Sequence, residues 1–216
     1  MTIRTTLITS SLIAASLISS AAHAALQGRD LNGSAGGFEA YYDTDLNITW
    51  LATANNTPMN WATANTWAAN FSFTDGVNVY DNWRLPTTLQ PDPSCEIQEG
   101  ISAGFNCTGS EMGHLFYSEL SGTAGQSILT SSDPDLAKFT NFQAYYYWSD
   151  TGYAPSTGGV WAFDFGLGQQ FVSDESSGFY ALAVSPGDVA AVPEAETYAL
   201  MLAGLGLIGW RVRRRG

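Results

Sequence analysis

Tyr80-Asp81-Asn82-Trp83-Arg84-Leu85-Pro86-Thr87 is the stretch on which the reading of the fold turns. It reads as a turn and a short strand, ended by a proline that cannot donate to a ladder. It also sets an arginine between Trp83 and Leu85 in a body with very few cations. An arginine held among apolar neighbours needs a carboxylate partner. Arg84 is therefore expected to fix a core turn through an ion pair rather than to bind a ligand.

Working outward, residues 60–71 read as a helix. Asn60 is placed to cap it, and Trp61, Ala64, Ala68 and Phe71 fall on one face, with Trp67 flanking. Before it, residues 38–42 and 48–51 read as two strands around the turn Asp43-Thr44-Asp45-Leu46-Asn47. Ile48 and Trp50 alternate with Asn47 and Thr49, the pattern of a half-buried strand. Downstream, a second helix is expected over about 109–120. Thr108 with Glu111 three residues on matches a capping box, and Met112, Leu115, Phe116 and Leu120 make its buried stripe. Residues 121–142 are loop-rich. Strands are expected at 145–149, at 160–165 paired with 170–173 across Gly166-Leu167-Gly168, and at 179–184. An early hairpin, two helices, a long loop region and late strands make an α+β pattern.

The two ends read as addresses. Residues 1–24 have the form of a secretory signal peptide: Arg4, an apolar run over 12–18, then Ala22-His23-Ala24. Cleavage between Ala24 and Ala25 is expected. The last segment, 191–216, combines Val192-Pro193-Glu194, an apolar run over 198–210, and Arg211, Arg213, Arg214 and Arg215. Thirteen apolar residues are short against the ~20 that cross a bilayer core, and the arginines would hold that end on the cytoplasmic side. In an exported chain, Cys95 and Cys107 are expected to form a disulfide.

Charge narrows the partners. The chain holds 8 Lys+Arg against 20 Asp+Glu, and 13% of residues are charged. Between the two end segments only Arg29, Arg84 and Lys138 remain as bases, against 18 acids, a net of -15. Such a field repels nucleic acid, sulfated glycans and anionic lipid.

The tail resembles the PEP-CTERM sorting signal in its three parts: Val192-Pro193-Glu194, the Gly-bearing apolar run, and the terminal arginines. It departs at Ala195, where the commonest form of the motif has proline. The resemblance implies a Gram-negative bacterium, transient membrane insertion through the apolar helix, and cleavage near Pro193-Glu194 by an exosortase-type membrane protease-transpeptidase. It implies display at the cell surface or in an extracellular matrix alongside exopolysaccharide. The body resembles the Lcl C-terminal domain family through Tyr42-Asp43, Leu46-Asn47-Ile48-Thr49-Trp50, Trp61 with Ala64 and Ala68, Asp81-Asn82-Trp83-Arg84-Leu85-Pro86-Thr87, Tyr147-Trp148-Ser149 and Tyr180-Ala181-Leu182-Ala183-Val184. For residues 25–190 this implies a C-type-lectin-like fold, two helices packed on twisted antiparallel sheets, and binding rather than catalysis. The Glu-Pro-Asn and Trp-Asn-Asp triplets of calcium-dependent lectins do not occur.

Candidate site residues follow. Tyr145, Tyr146, Tyr147, Trp148, Tyr153 and Trp161 form an aromatic-rich late segment. Alternate strand residues point inward, so about half should be core, and the exposed remainder is the expected glycan-binding surface. The alternative is a structural matrix component without a ligand, and a glycan-acting hydrolase comes third. Glu111 and Glu119 lie about 12 Å apart along a helix, beyond the reach of paired glycosidase carboxylates, so no catalytic residue is assigned. His114, off the helix stripe, is expected to be an ordinary polar residue. Asp43-x-Asp45-x-Asn47 resembles the start of a calcium loop, but Ile48 and Ala54 stand where such a loop needs Gly and Glu. Asp133-Pro134-Asp135 and Asp174-Glu175 are further oxygen clusters. A structural calcium ion is the only cofactor these leave open.

Overall fold

In the computed structural model, which describes residues 26–34 and 36–189, Asp43 turns the chain at the first hairpin. Its Oδ1 accepts from the backbone N–H groups of Asp45 and Leu46, both at 3.0 Å. Asn47 closes the turn in the left-handed region, φ 52°. A short polar side chain tolerates that conformation. The strands joined are β2 (Ala40–Asp43) and β3 (Ile48–Leu51), as expected. β1 (Gln27–Arg29) pairs with β2, and β9 (Val184–Pro186) pairs with β3. The two ends of the domain thus share one antiparallel sheet, in the order β1-β2-β3-β9. Arg29 reinforces the closure by gripping Asp188 with two nitrogens, at 2.6 and 2.8 Å.

Helix α1 (Trp61–Ala69) starts where Asn60 accepts from the Thr63 N–H. It buries Ala64 and Ala68, and the larger Trp61, Trp67 and Phe71 pack at the margin. A two-stranded hairpin follows, β4 (Phe73–Thr74) with β5 (Val79–Tyr80). The late strands β6 (Tyr146–Gly152), β7 (Gly159–Asp164) and β8 (Gln169–Asp174) form an antiparallel meander. Mixed helices and antiparallel sheets make this an α+β domain. Among the described residues no helix is long and apolar enough to cross a membrane.

Arg84 lies at the junction of these parts. Its backbone exchanges two hydrogen bonds with Val184, at 2.9 and 2.8 Å. Trp83 and Leu85 are buried on either side of it. Its guanidinium meets both oxygens of Glu111, at 2.8 and 2.7 Å, in the fork geometry that suits arginine. The Pro86 carbonyl accepts from Asp150 on β6. One eight-residue stretch therefore ties the first sheet, the second helical segment and the second sheet together.

Three expectations are corrected. The second helix is α only over Glu111–His114 (α2) and continues as a π-turn, Leu115–Glu119. Its cap is Ser110, without a side-chain cap bond. Glu111 does not close a capping box, because its carboxylate is spent on Arg84 and on the Thr87 N–H. Its stripe is as expected: Met112, Leu115, Phe116 and Leu120 are all buried. Next, β3 is buried on both faces. Thr49 is fully enclosed, its hydroxyl satisfied by the Gly187 carbonyl at 2.7 Å. Finally, 179–183 is not a strand of either sheet. It runs between them, giving carbonyls to Met59, Trp148, Asn55 and Leu51 in turn.

That seam divides the interior. Trp50, Phe116, Tyr147, Phe163, Phe165 and Leu182 pack in one core cluster. Leu51, Trp83, Leu85, Trp148, Ala162 and Ala183 pack in the other. Neighbouring residues of a single strand go to different clusters, which is the period-2 rule applied to strands covered on both sides.

Cys95 and Cys107 are disulfide-bonded with Cα atoms 4.1 Å apart. The bond spans a separation of 12 residues. A loop of that size should contribute about 3 kcal/mol in the chain-entropy description. Reduction is therefore expected to lower the unfolding free energy by about that amount, and the denaturation midpoint with it. An unchanged midpoint would mean that the loop's internal bonds, Gln98 to the Asp92 and Cys95 carbonyls and the Ser94 N–H to the Asp92 carboxylate, hold it alone.

Candidate functional site

The six aromatic candidates separate sharply. Tyr147, Trp148 and Trp161 are core side chains, at 0%, 0% and 2% exposure, and can touch no ligand. The Tyr147 hydroxyl accepts from the Gln143 N–H, and burial pushes its pKa up. Tyr146 is half-buried against Phe171 and Phe179. Tyr145 remains exposed, at 47%. Tyr153 is half-buried at the turn after β6.

Tyr153 lines an open cleft of about 320 Å³ together with Trp61, Ser156, Thr157, Val160 and Glu175. The β6–β7 turn builds one side of it. The Tyr153 N–H donates to the Gly159 carbonyl at 2.8 Å, and Ser156 N–H donates to the Tyr153 carbonyl at 3.0 Å. Trp61, the first residue of α1, is fixed by its indole N–H on the Ser149 carbonyl and its backbone N–H on the Glu175 carbonyl. The cleft therefore presents two half-buried rings whose positions are set by the scaffold, with hydroxyls and a carboxylate beside them. In the sequence Trp61 stands out as a helix-face residue and in the family resemblance, not as a candidate binding residue. Its place in the cleft depends on a contact between distant parts of the chain that helical periodicity does not report.

A second hollow, about 400 Å³, lies on the disulfide loop between Gln90, Gln98 and Ser102. Those side chains are already bonded to one another and to the loop backbone.

A buried polar cluster is the feature that sequence reading missed. His114 Nε2 lies 3.1 Å from Glu119 Oε1 and 3.8 Å from Asp43 Oδ2. Both carboxylates are buried. Burial disfavours the charged imidazole, but the Glu119 hydrogen bond and the charges of Asp43, Glu119 and Asp45 outweigh it, so the His114 pKa is raised. Burial raises the Glu119 pKa too, against the lowering effect of His114. On an α-helix, residues five apart point about 140° away from each other. The π-turn bond from Leu120 N–H to the Leu115 carbonyl spans five residues and brings His114 and Glu119 onto one side.

The oxygen clusters named from sequence are engaged in turns. Asn47 Oδ1 accepts from the Tyr42 hydroxyl, Asp133 from Asp135 N–H and Ser121, and Asp174 from Ser176. Asp135 pairs with Lys138. The three bases of the domain, Arg29, Arg84 and Lys138, all have carboxylate partners.

Residues 191–215 match the family model of the PEP-CTERM protein-sorting motif. The chain carries that motif. It implies export toward the cell surface and processing by exosortase, a membrane protein. The motif residues Val192, Pro193, Glu194, Arg211, Arg213, Arg214 and Arg215, the apolar sorting helix, and the signal cleavage point at Ala24 and Ala25 lie outside the described residues. Comparison with curated proteins and with solved structures finds no match.

Proposed function

We propose that residues 25–190 form a C-type-lectin-like, non-catalytic module that binds exopolysaccharide in the matrix around the cell, and that the cleft beside Trp61 and Tyr153 makes the contact. The observation that carries this reading is a pair of half-buried aromatic rings lining one open cleft with Ser156, Thr157 and Glu175. Aromatic faces receive the apolar C–H faces of sugar rings, and neighbouring hydroxyls and carboxylates take up the sugar hydroxyls. The sorting motif supports an exported setting for it. Two short helices, antiparallel sheets and a long irregular stretch support the C-type-lectin-like layout. With every base of the domain already paired, the polymer that suits this surface is neutral rather than anionic.

The test is saturable binding of the purified exported protein to the source organism's exopolysaccharide, with and without chelator. Tyr153→Ala is expected to weaken it at least about tenfold, equivalent to roughly 1.4 kcal/mol, with the fold intact. Chelator sensitivity would show that binding needs a bound cation. A second reading, a matrix component without a ligand, draws on the burial of Tyr147, Trp148 and Trp161. Absence of saturable binding in both conditions would favour it over glycan recognition.

A further inference from the structure

We propose that Asp43, His114 and Glu119 form a binding site for one divalent transition-metal ion of the zinc or manganese kind, stapling the first sheet to the second helical segment. One ligand atom from each lies within 4.8 Å of the other two. Ligand atoms held about 2.0–2.2 Å from a shared ion stand roughly 3–3.6 Å apart; the 3.1 Å from His114 Nε2 to Glu119 falls inside that range and the 3.8 Å to Asp43 just beyond it.

Three further observations point to a cation. Glu119 Oε2 is buried and has no hydrogen-bond partner, though the residue is only 4% exposed. An orphaned carboxylate oxygen in that setting is costly. Two buried carboxylates face one imidazole, and Arg29, Arg84 and Lys138 are each engaged with other acids. A divalent ion balances the two carboxylates and leaves the imidazole neutral, as a ligand requires. The donor set also selects the ion. Calcium seeks six to eight oxygens, whereas one imidazole with two carboxylates suits zinc, manganese or iron.

The site is supported from behind, as metal ligands usually are. Asp43 Oδ1 is held by the Asp45 and Leu46 N–H groups, and Oδ2 receives the Trp50 indole N–H at 3.2 Å. The π-turn that aligns His114 with Glu119 is a helical irregularity common at functional sites. His114 keeps some solvent exposure, which gives an ion a way in.

Chelator-treated exported protein would be titrated with ZnCl₂ and MnCl₂ by calorimetry, and its thermal midpoint followed with each ion. One equivalent bound with a raised midpoint is expected. Glu119→Gln, which keeps the side-chain shape and removes the charge, should weaken binding by more than about tenfold and abolish the metal-dependent rise. Equal binding by Glu119→Gln and His114→Asn would place the ion elsewhere on the acidic surface and overturn the proposal. Should both variants fail to fold, Co²⁺ titration of the unmutated protein decides. A visible d–d band saturating at one equivalent and displaced by Zn²⁺ supports the site, and no band overturns it. Glycan binding is read separately, so failure of either idea leaves the other standing.

Discussion

Gly113→Ala is expected to destabilise the protein by about 3 kcal/mol or more, the upper end of the cost of overfilling a packed interior. A Cβ at Gly113 would stand 1.8 Å from the Cys107 carbonyl oxygen and 2.8 Å from its carbon. The obstacle is backbone, so no rotamer change relieves it. Neither partner is free to retreat. Cys107 is tied to Cys95, and α2 is tied to the junction stretch through Glu111 and Arg84. The sign of the effect is the informative part. Alanine is favoured over glycine in a helix by about 1 kcal/mol, so helix propensity alone predicts a more stable protein. Chemical denaturation separates the two, with Gly152→Ala as control, because a Cβ there meets nothing within 4 Å. A midpoint for Gly113→Ala at or above that of the unmutated protein would remove the close packing of α2 on the disulfide loop from the description.

What the sequence made legible follows from the range of the interactions involved. Asn60 caps α1 through a bond three residues away, and the Asp43 turn closes within four. Both are local, and both are visible in residue order. The Arg84 partner was legible in kind but not in identity. The scarcity of cations demanded a carboxylate, while the choice of Glu111, 27 residues on, depends on how α2 docks. That choice also explains the failed capping box, since one carboxylate cannot serve both Arg84 and its own helix end. The strand read at 179–184 has apolar, β-prone residues, but its hydrogen bonds alternate between elements distant in sequence. Pattern alone cannot distinguish such a seam from a sheet strand. The π-turn escaped for a different reason. Its apolar stripe is compatible with an α-helix, and only the added residue in the turn moves Glu119 to His114. The sorting motif, by contrast, is a linear signal and was read directly.

Trp148→Ala is expected to cost about 3–5 kcal/mol, the range for removing a large buried aromatic. The ring is fully enclosed, lies tilted against Phe179 with centroids 4.4 Å apart, and donates its indole N–H to the Met59 carbonyl at 2.8 Å. Truncation therefore opens a cavity in the second core cluster and removes one of the two hydrogen bonds on the Met59 carbonyl, leaving the one from the Phe179 N–H. Tyr145→Ala, three residues away and exposed, should stay within about 0.5 kcal/mol, as for a surface change. The contrast governs how the binding function can be tested. A block replacement across 145–153 would remove Trp148 and Tyr147 along with Tyr153, and loss of glycan binding would then report an unfolded domain. Measured singly, Trp148→Ala should lose binding together with its near-ultraviolet circular dichroism, whereas Tyr153→Ala should lose binding and keep that signal. A Trp148→Ala protein within about 1 kcal/mol of the parent, no more than a typical point substitution costs, would mean that the second cluster is not a packed core. In that case the rigid seat argued for Trp61, whose indole is fixed on the Ser149 carbonyl one residue from Trp148, would lose its support as well.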